Sequence, residues 1–233
     1  MLEVHSEASH HAKGYLLKAR LFFEKNSKGM ELENHYHHNV EPNFWKHMVN
    51  PVLENPIASS NQLALEFGCG AGRNLLNLLI AAPFLRVDGI DISKSIASSA
   101  QVFVEKKVGP GRTVCLQGNG WSCLPFPSDS YTYVISHQVF IHIPHRTVRL
   151  SILTDMHRIL KVGGVCVIHF KTMTHAVPYS ENFNGFPKNV TVVDADKALI
   201  VEDFESAGFA AVEIATELNY VDGHNEYFIT ATK

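Results

Sequence analysis

The stretch that decides the fold is Leu63-Ala-Leu-Glu66-Phe-Gly68-Cys-Gly70-Ala-Gly72-Arg-Asn74. An apolar run of strand length leads into three alternating glycines, and a leucine-rich segment with helical spacing follows. Glycine at Gly68 permits a tight turn, glycine at Gly70 lets the backbone approach a ligand, and glycine at Gly72 lets the following helix approach the strand. A strand, a glycine turn and a helix in this order predict a βαβ unit whose free turn amides face a bound molecule.

Short apolar runs alternate with amphipathic segments after this stretch, which is typical of a mostly parallel sheet covered by helices. We predict five parallel strands, at residues 62–67, 86–90, 113–117, 131–136 and 165–170. Two further β-rich runs, 209–220 and 226–232, are joined by Asp222-Gly223 and predict an antiparallel pair at the carboxyl end. The expected fold is therefore an α/β, Rossmann-like doubly wound sheet with that antiparallel pair and an N-terminal helical cap.

The organisation along the chain predicts one domain with added segments. Residues 1–60 are polar and histidine-rich, contain a possible amphipathic helix at 15–25, and are expected to form a helical cap or lid. Residues 61–233 form the domain itself. Within it, residues 171–197 lack a clean period and contain Pro178, Gly185 and Pro187, so we expect a substrate loop or lid there.

Composition narrows the class of partner. A formal charge of -3 and a pI near 6.5 provide no broad positive field, which disfavours a nucleic-acid substrate. No apolar run is long enough to cross a membrane, and the first thirty positions lack a signal peptide's apolar centre, so we expect a cytoplasmic protein. The four cysteines form no CxxC pair and are expected to be reduced core thiols. The oligomeric state is left open.

Asp91 and Glu66 indicate the class of cofactor. Asp91 ends the second predicted strand. Its separation from the glycine turn suits a carboxylate that accepts hydrogen bonds from both hydroxyls of an adenosine ribose. The alternative is that Asp91 is the N-cap of the following helix. The glycine spacing is GxGxG, with Arg73 following, whereas a nicotinamide dinucleotide usually needs GxGxxG. Glu66 would repel a pyrophosphate and suit a cationic amino-acid end. These residues favour a sulfonium nucleoside over a dinucleotide.

Five ordered motifs resemble those of one known family. Glu66-Phe-Gly-Cys-Gly-Ala-Gly72 resembles the first motif of the class I S-adenosylmethionine-dependent methyltransferases, and Gly89-Ile-Asp91-Ile-Ser93 resembles the second. Three more follow in the family's order: Gln117-Gly-Asn119 with Leu124-Pro-Phe-Pro127, then Ile141-His-Ile-Pro144, then Ile159-Leu-Lys-Val-Gly-Gly164. The similarity covers about residues 62–233 and is greatest to the small-molecule group called methyltransferase type 11 or UbiE-like.

The resemblance implies S-adenosylmethionine as cofactor and assigns residues to it. Gly68, Cys69 and Gly70 would line the methionine end, and Ile92 would cover one adenine face. Asn119 stands where the family usually has Asp for the adenine amino group. Gly120 and Trp121 follow in a loop one residue longer than usual, where Trp121 either stacks on adenine or is an ordinary surface aromatic.

Histidines supply the candidate catalytic groups. His137, which follows the fourth strand and would also face the methionine end, and His142 are the candidate general bases, and a structural hydrogen bond is the alternative for His142. The candidate substrate-binding residues are Tyr36, Trp45, His169 and His175, with packing as the alternative for Tyr36, Trp45 and His169. The spacing of His35, His37 and His38 matches no usual metal motif, so no metal is expected.

The expected reaction is methyl transfer to a small molecule, with O-methylation slightly ahead of N-methylation because of those histidines. A noncatalytic protein that binds S-adenosylmethionine is one alternative. An NAD-dependent oxidoreductase is the other, and the GxGxG spacing, Glu66 and the β-rich carboxyl end oppose it.

Overall fold

The fold is built on one sheet of seven strands in the order β3-β2-β1-β4-β5-β7-β6. A computed structural model describes residues 10–27, 44–54, 62–82, 86–171, 196–218 and 225–233. The strands are β1 (Leu63–Phe67), β2 (Arg86–Asp91), β3 (Cys115–Gln117), β4 (Tyr131–Ser136), β5 (Leu160–Lys171), β6 (Ala210–Leu218) and β7 (Asn225–Thr232). The predicted turn at Asp222-Gly223 and nearly all of the predicted loop at 171–197 lie outside the described residues.

The first five strands are parallel, and the last two are antiparallel, as the sequence predicts. β1 pairs with β2 on one side and with β4 on the other, and β2 pairs with β3. β5 pairs with β4 in parallel and with β7 antiparallel, and β7 also pairs antiparallel with β6. The last strand in the chain therefore lies between β5 and β6 and separates them.

Helices cover both faces of the sheet, which confirms the doubly wound architecture. The helices are α1 (His10–Asn26), α2 (Asn50–Glu54), α3 (Arg73–Ala81), α4 (Lys94–Val108), α5 (Arg146–Ile159) and α6 (Lys197–Ser206). A π-helical turn, Trp45–Val49, runs directly into α2. Alternate strand residues face opposite sides, so one core joins the sheet to α1, α5 and α6, and the other joins it to α2, α3 and α4.

Two details differ from the sequence-based prediction. β5 begins at Leu160, immediately after α5, and not after the glycine pair, and its register with β4 shifts between Tyr131 and Tyr133. A Cβ added at Gly72 would lie 3.1 Å from a methyl carbon of Val104 in α4. The close approach that Gly72 permits is therefore one between α3 and α4, whereas the sequence suggests helix against strand.

The topology fixes where a ligand binds. The chain runs from β1 outward to β2 and β3 and then returns to β4 on the other side of β1. The strand order reverses between β1 and β4, and open α/β sheets bind their ligands in the crevice at the carboxyl ends of the strands at such a point. The glycine turn after β1 lies at this crevice.

Candidate active site

The glycine turn is tied to the end of β2 by its own backbone. The amides of Gly68 and Cys69 both donate to the carbonyl of Ile90, at 2.7 and 3.1 Å. A Cβ added at Gly68 would lie 2.2 Å from Cγ2 of Val139, so the turn could not form against the β4 loop with a larger residue. Gly70 has a φ of +51° and no heavy atom within 4 Å of an added Cβ. Gly68 is thus required by packing, and Gly70 faces open space.

Asp91 closes the other side of this turn. One carboxylate oxygen accepts from the amide of Gly70 at 3.0 Å, and the other accepts from the amide of Ser93 at 2.9 Å. Burial raises the pKa of Asp91 to about 6, although the bonds from Ser93 and Gly70 act in the opposite direction. Ser93 itself caps α4, because its hydroxyl accepts from the amide of Ile96 at 3.2 Å. The carboxylate is thereby fixed at the edge of a cavity.

That cavity has a volume of about 300 Å³ and lies between the strand ends and α1. Its lining is mainly apolar, with Asp91, His137 and His142 as its titratable groups besides Tyr15. The residues that line it are Tyr15, Leu16, Ala19, Phe23, Phe67, Gly68, Gly70, Ile90, Asp91, Ile92, Ile96, Gly118, Gly120, His137, Gln138, Val139, His142 and Ile143. Six of the predicted cofactor residues therefore meet here: Gly68, Gly70, Asp91, Ile92, Gly120 and His137.

Helix α1 forms the roof of the cavity, and its residues that do so were not among the predicted site residues. The hydroxyl of Tyr15 donates a short hydrogen bond to the backbone carbonyl of His142, and Glu24 accepts from the hydroxyl of Ser93 at 2.6 Å. Leu16 and Ala19 face the cavity. The signal that could have identified this face is the spacing of Ala12, Tyr15, Leu16 and Ala19, all of which are buried on one side of the helix.

Both candidate bases reach the cavity. His137 is 9% exposed; its ring lies edge-on to Phe44 at 5.3 Å and tilted against His169 at 4.7 Å between centroids. Burial lowers the pKa of His137 well below its ordinary value, and electrostatic interactions with His169 and Arg73 act in the same direction. His137 is therefore a neutral imidazole at pH 7. His142 follows in a 3₁₀ turn, Phe140–His142, after β4.

Four predicted cofactor residues do not line the cavity. Glu66 is 1% exposed and accepts from the side-chain amide of Asn74 at 2.7 Å, and burial raises its pKa to about 8. Asn119 uses its side-chain oxygen to accept from the amides of Trp121 and Ser122, each at 2.9 Å, so it stabilises its own loop. Trp121 packs against the core on the α1 side, and Cys69 is buried in the core on the α3 side.

The described members of the predicted acceptor-binding set do not line the cavity. Trp45 is partly buried against the core on the α3 side and is not part of the cavity lining. His169 is fully buried in β5 behind His137. Tyr36 and His175, like the cluster at His35, His37 and His38, lie outside the described residues.

The described residues show neither a cluster of metal-binding side chains nor a membrane-spanning helix. They contain no group of three or more His, Cys, Asp or Glu side chains that could hold a metal ion. Among the helices in that part of the chain, none has the length and apolar character needed to span a membrane.

Comparison with known proteins finds similarity to methyltransferases over part of the chain. A family model described as a methyltransferase domain matches residues 65–168. A probable methyltransferase of Aspergillus luteorubrus is 28% identical over 129 residues, which are 54% of this chain and 45% of that protein. A demethylmenaquinone methyltransferase of Lysinibacillus sphaericus is 28% identical over 144 residues, 60% of this chain and 58% of that protein. The similarity thus extends over less than two thirds of either relative's length.

Solved structures show the same fold. The phosphoethanolamine N-methyltransferase 2 of Haemonchus contortus, in complex with S-adenosyl-L-methionine, matches with a TM-score of 0.68 at 19% identity, over 92% of this chain and 59% of that one. The matched domain begins in β1 beside the glycine turn and ends in β5 beside His169, so it includes the strand ends that frame the cavity. Residues 65–168 are thus similar to a methyltransferase domain, and the chain shares its fold with a methyltransferase structure that holds S-adenosyl-L-methionine.

Proposed function

We propose that this chain transfers a methyl group from S-adenosylmethionine to a small-molecule acceptor. The observation that carries the proposal is the cavity itself, in which Gly70, Asp91 and the end of β4 meet at the point where the strand order reverses. The names of the three relatives described above, each a methyltransferase, support the reaction class.

The residues around the cavity fit the cofactor. The open space at Gly70 leaves room for a ligand against the turn, and the partly buried carboxylate of Asp91 suits two ribose hydroxyls. Apolar side chains at Ile90 and Ile92 would cover a planar base. The cofactor roles of Glu66, Cys69, Asn119 and Trp121 rest on their motif positions alone. When bound, S-adenosylmethionine supplies a methyl group already activated by a sulfonium, so the chain's main task is to position the acceptor.

A neutral imidazole beside the cavity favours an acceptor that loses a proton, such as a hydroxyl. His137 is buried between the rings of Phe44 and His169. Because its imidazole is already neutral, it can accept a proton directly. His142 is the second base candidate on the same lining. An amine in its neutral form would need no base. A base beside the cavity therefore favours O-methylation slightly over N-methylation. One relative is named as an N-methyltransferase, and its name keeps amines among the acceptors to be tried.

A pair of glycine variants tests the cofactor site. Gly70→Val should abolish binding of S-adenosylhomocysteine, because the branched side chain would occupy the open space beside the turn. Gly109→Val is the matched control, because Gly109 also has a positive φ and open space but ends α4, away from the cavity. Binding is measured by calorimetry. Equal loss in both variants, or retained binding in Gly70→Val, would show that the turn does not face the nucleoside.

The reaction itself is tested by a methyl-transfer screen over phenols, amines and carboxylates. Methylated products confirm an enzyme and distinguish O- from N-methylation by mass spectrometry. Tight binding of S-adenosylmethionine with no product from any acceptor would favour the noncatalytic alternative, and stabilisation by NADH alone would contradict the cofactor assignment.

A further inference from the structure

Beneath the π-helical turn and α2 lies a series of five rings that runs from the cavity toward the surface. We call it the ring column. Phe44 lies edge-on to His137, and His137 is tilted 30° against His169. His169 lies 5.0 Å from Phe228, which stacks on His47 at 4.7 Å between centroids. The proposed base is therefore the cavity end of a packed column and cannot turn independently of His169.

His169 is the interior member of the ring column, and its nitrogens have unusual surroundings. It is fully buried, and neither ring nitrogen has a hydrogen-bond partner among the described residues. Its Nε2 lies 3.9 Å from a carboxylate oxygen of Glu226, which is 2% exposed. Burial, helped by the charge of Lys171, lowers the pKa of His169 to about 3. His169 is thus a neutral ring between a buried carboxylate and the ring of His137.

Three other acidic groups near the ring column and the cavity have contacts of their own: Glu217, Asp91 and Glu66. Glu217 pairs with Lys46 at 2.6 Å and with His47 at 2.7 Å. Asp91 holds the amides of Gly70 and Ser93. Burial raises the pKa of Glu66 to about 8, so its carboxyl is largely protonated at pH 7. Lys171, the register partner of Glu226, and Arg73 are the positive groups that oppose a charge on the imidazoles.

We propose that Glu226 is the counter-charge of His137, acting through His169, which presents its Nε2–H to the carboxylate. The proposal rests on the methyl-transfer function above. As the acceptor's oxygen bonds to the methyl carbon, the carbon–sulfur bond breaks with its electron pair left on sulfur, and the acceptor's proton passes to His137. His137 then becomes an imidazolium, which later releases its proton to water. In a buried site this charge is costly, and a carboxylate behind the neighbouring ring lowers that cost. Glu226 and His169 are positioning residues, because neither lines the cavity.

Histidine-labelled nuclear magnetic resonance tests the proposal without an acceptor. Ring nitrogen shifts of His137 and His169 are followed against pH in the full chain, and the signals are assigned with single His→Gln variants. Glu226→Gln should lower the pKa of His137 by about 0.5 to 1 unit, because it removes a negative charge that favours the imidazolium. It should also reduce the fraction of His169 that carries its proton on Nε2. Glu226→Asp keeps the charge and should retain a His137 pKa close to that of the wild type.

Glu217→Gln is the matched control, since Glu217 is the register partner of Glu226 on β6 but pairs with Lys46 and His47. It should leave the titration of His137 unchanged. Equal shifts of His137 in both Gln variants would overturn the proposal. An unchanged pKa of His137 in Glu226→Gln would also overturn it. The same holds if His137 stays neutral down to the pH at which the protein unfolds, in both the wild type and Glu226→Gln. S-adenosylhomocysteine binding is measured separately: its failure in the wild type counts against the methyltransferase function, whereas the titration still decides the role of Glu226.

Discussion

Asp91 joins the glycine turn to the start of α4, since its two oxygens accept from Gly70 and Ser93. The sequence offers two roles for it, a ribose ligand or an N-cap. In the structure the side-chain cap of α4 is the hydroxyl of Ser93, and the Asp91 carboxylate faces the cavity. The side-chain cap is thus supplied by Ser93, and the ribose role of Asp91 stays a prediction about how the carboxylate's charge affects binding.

We predict that affinity for S-adenosylhomocysteine falls as the pH decreases through about 6, the raised pKa of Asp91. The ionised carboxylate accepts hydroxyl hydrogen bonds, and protonation below that pH removes the charge. Asp91→Asn should bind about 10- to 100-fold more weakly at neutral pH and lose this pH dependence, because a charged hydrogen bond contributes about 1.5 to 3 kcal/mol. Calorimetry over a pH series gives both quantities. An Asn variant that binds like the wild type would leave Asp91 with a purely structural role.

Residues with polar side chains show where motif reasoning stops. Asn119 and Glu66 stand at motif positions, and the motif implies ligand contacts for both. In the structure the side-chain oxygen of Asn119 accepts from Trp121 and Ser122, and one carboxyl oxygen of Glu66 accepts from Asn74. A motif indicates which residue type follows a strand. The orientation of that side chain depends on its neighbours, and no sequence pattern predicts the contact of Asn74 with Glu66.

At the scale of elements, α1 shows the difference between predicting a helix and predicting its place. Its amphipathic spacing indicates a helix at 15–25, and the structure has one at His10–Asn26. What the spacing does not give is the partner of its apolar face, because Tyr15 and His142 are 127 positions apart. The strands and their helices were predictable because each βαβ unit is local in sequence. The contacts of α1 with the cavity join residues that are far apart in the sequence.

Two leucines on α1 provide a test of that roof. Leu16 is 6% exposed and lines the cavity, whereas Leu21 is 61% exposed. Leu16→Ala should weaken S-adenosylhomocysteine binding by about 5- to 10-fold and lower the free energy of unfolding by about 2 kcal/mol, because it removes buried apolar contacts. Leu21→Ala should change neither by more than about 0.5 kcal/mol. Binding by calorimetry and denaturant titration measure the two effects, and equal effects of both substitutions would show that α1 does not cover the ligand.

On the scale of the whole molecule, a buried ion-pair network that stabilises the fold lies apart from the cavity. Asp203 on α6 accepts from Nε of Arg146 at 2.6 Å and lies 3.7 Å from Nη2 of Arg149, both on α5. Asp203 and Arg149 are each 2% exposed. This network joins two helices on the α1 side of the sheet, and none of its members lines the cavity.

We predict that Asp203→Ala lowers the free energy of unfolding by about 3 to 5 kcal/mol, because it removes the carboxylate from a buried ion pair. Glu202→Ala, its neighbour and control, removes an exposed partner of Arg146 and should cost less than about 1 kcal/mol. Guanidinium unfolding gives both values. Affinity for S-adenosylhomocysteine should stay within about twofold of the wild type in the variants that remain folded. A large loss of affinity in Asp203→Ala would mean that the helices and the cavity are coupled.

The fold as a whole followed from periodicity, since continuous apolar strands and the glycine turn predict a doubly wound sheet with its ligand at the strand ends. The site was predicted in part. Gly68, Gly70, Asp91, Ile92, Gly120, His137 and His142 line the cavity because they follow directly from strand ends. Tyr15, Leu16 and the pairing of His169 with Glu226 were not predicted, because they depend on contacts between distant segments and between strands β5 and β7.

The position of β7 also bears on how the protein is made. β5 pairs with β7 along its whole outer edge from Val165 to Lys171, and β6 is held to the sheet through β7. While a ribosome is synthesising the chain, the five parallel strands can assemble, but β5 keeps an open hydrogen-bonding edge until residues 225–232 emerge. An open edge is a template for pairing with another chain. The nascent protein is therefore most prone to aggregation in the interval between the emergence of β5 and that of β7, when it already holds its binding turn.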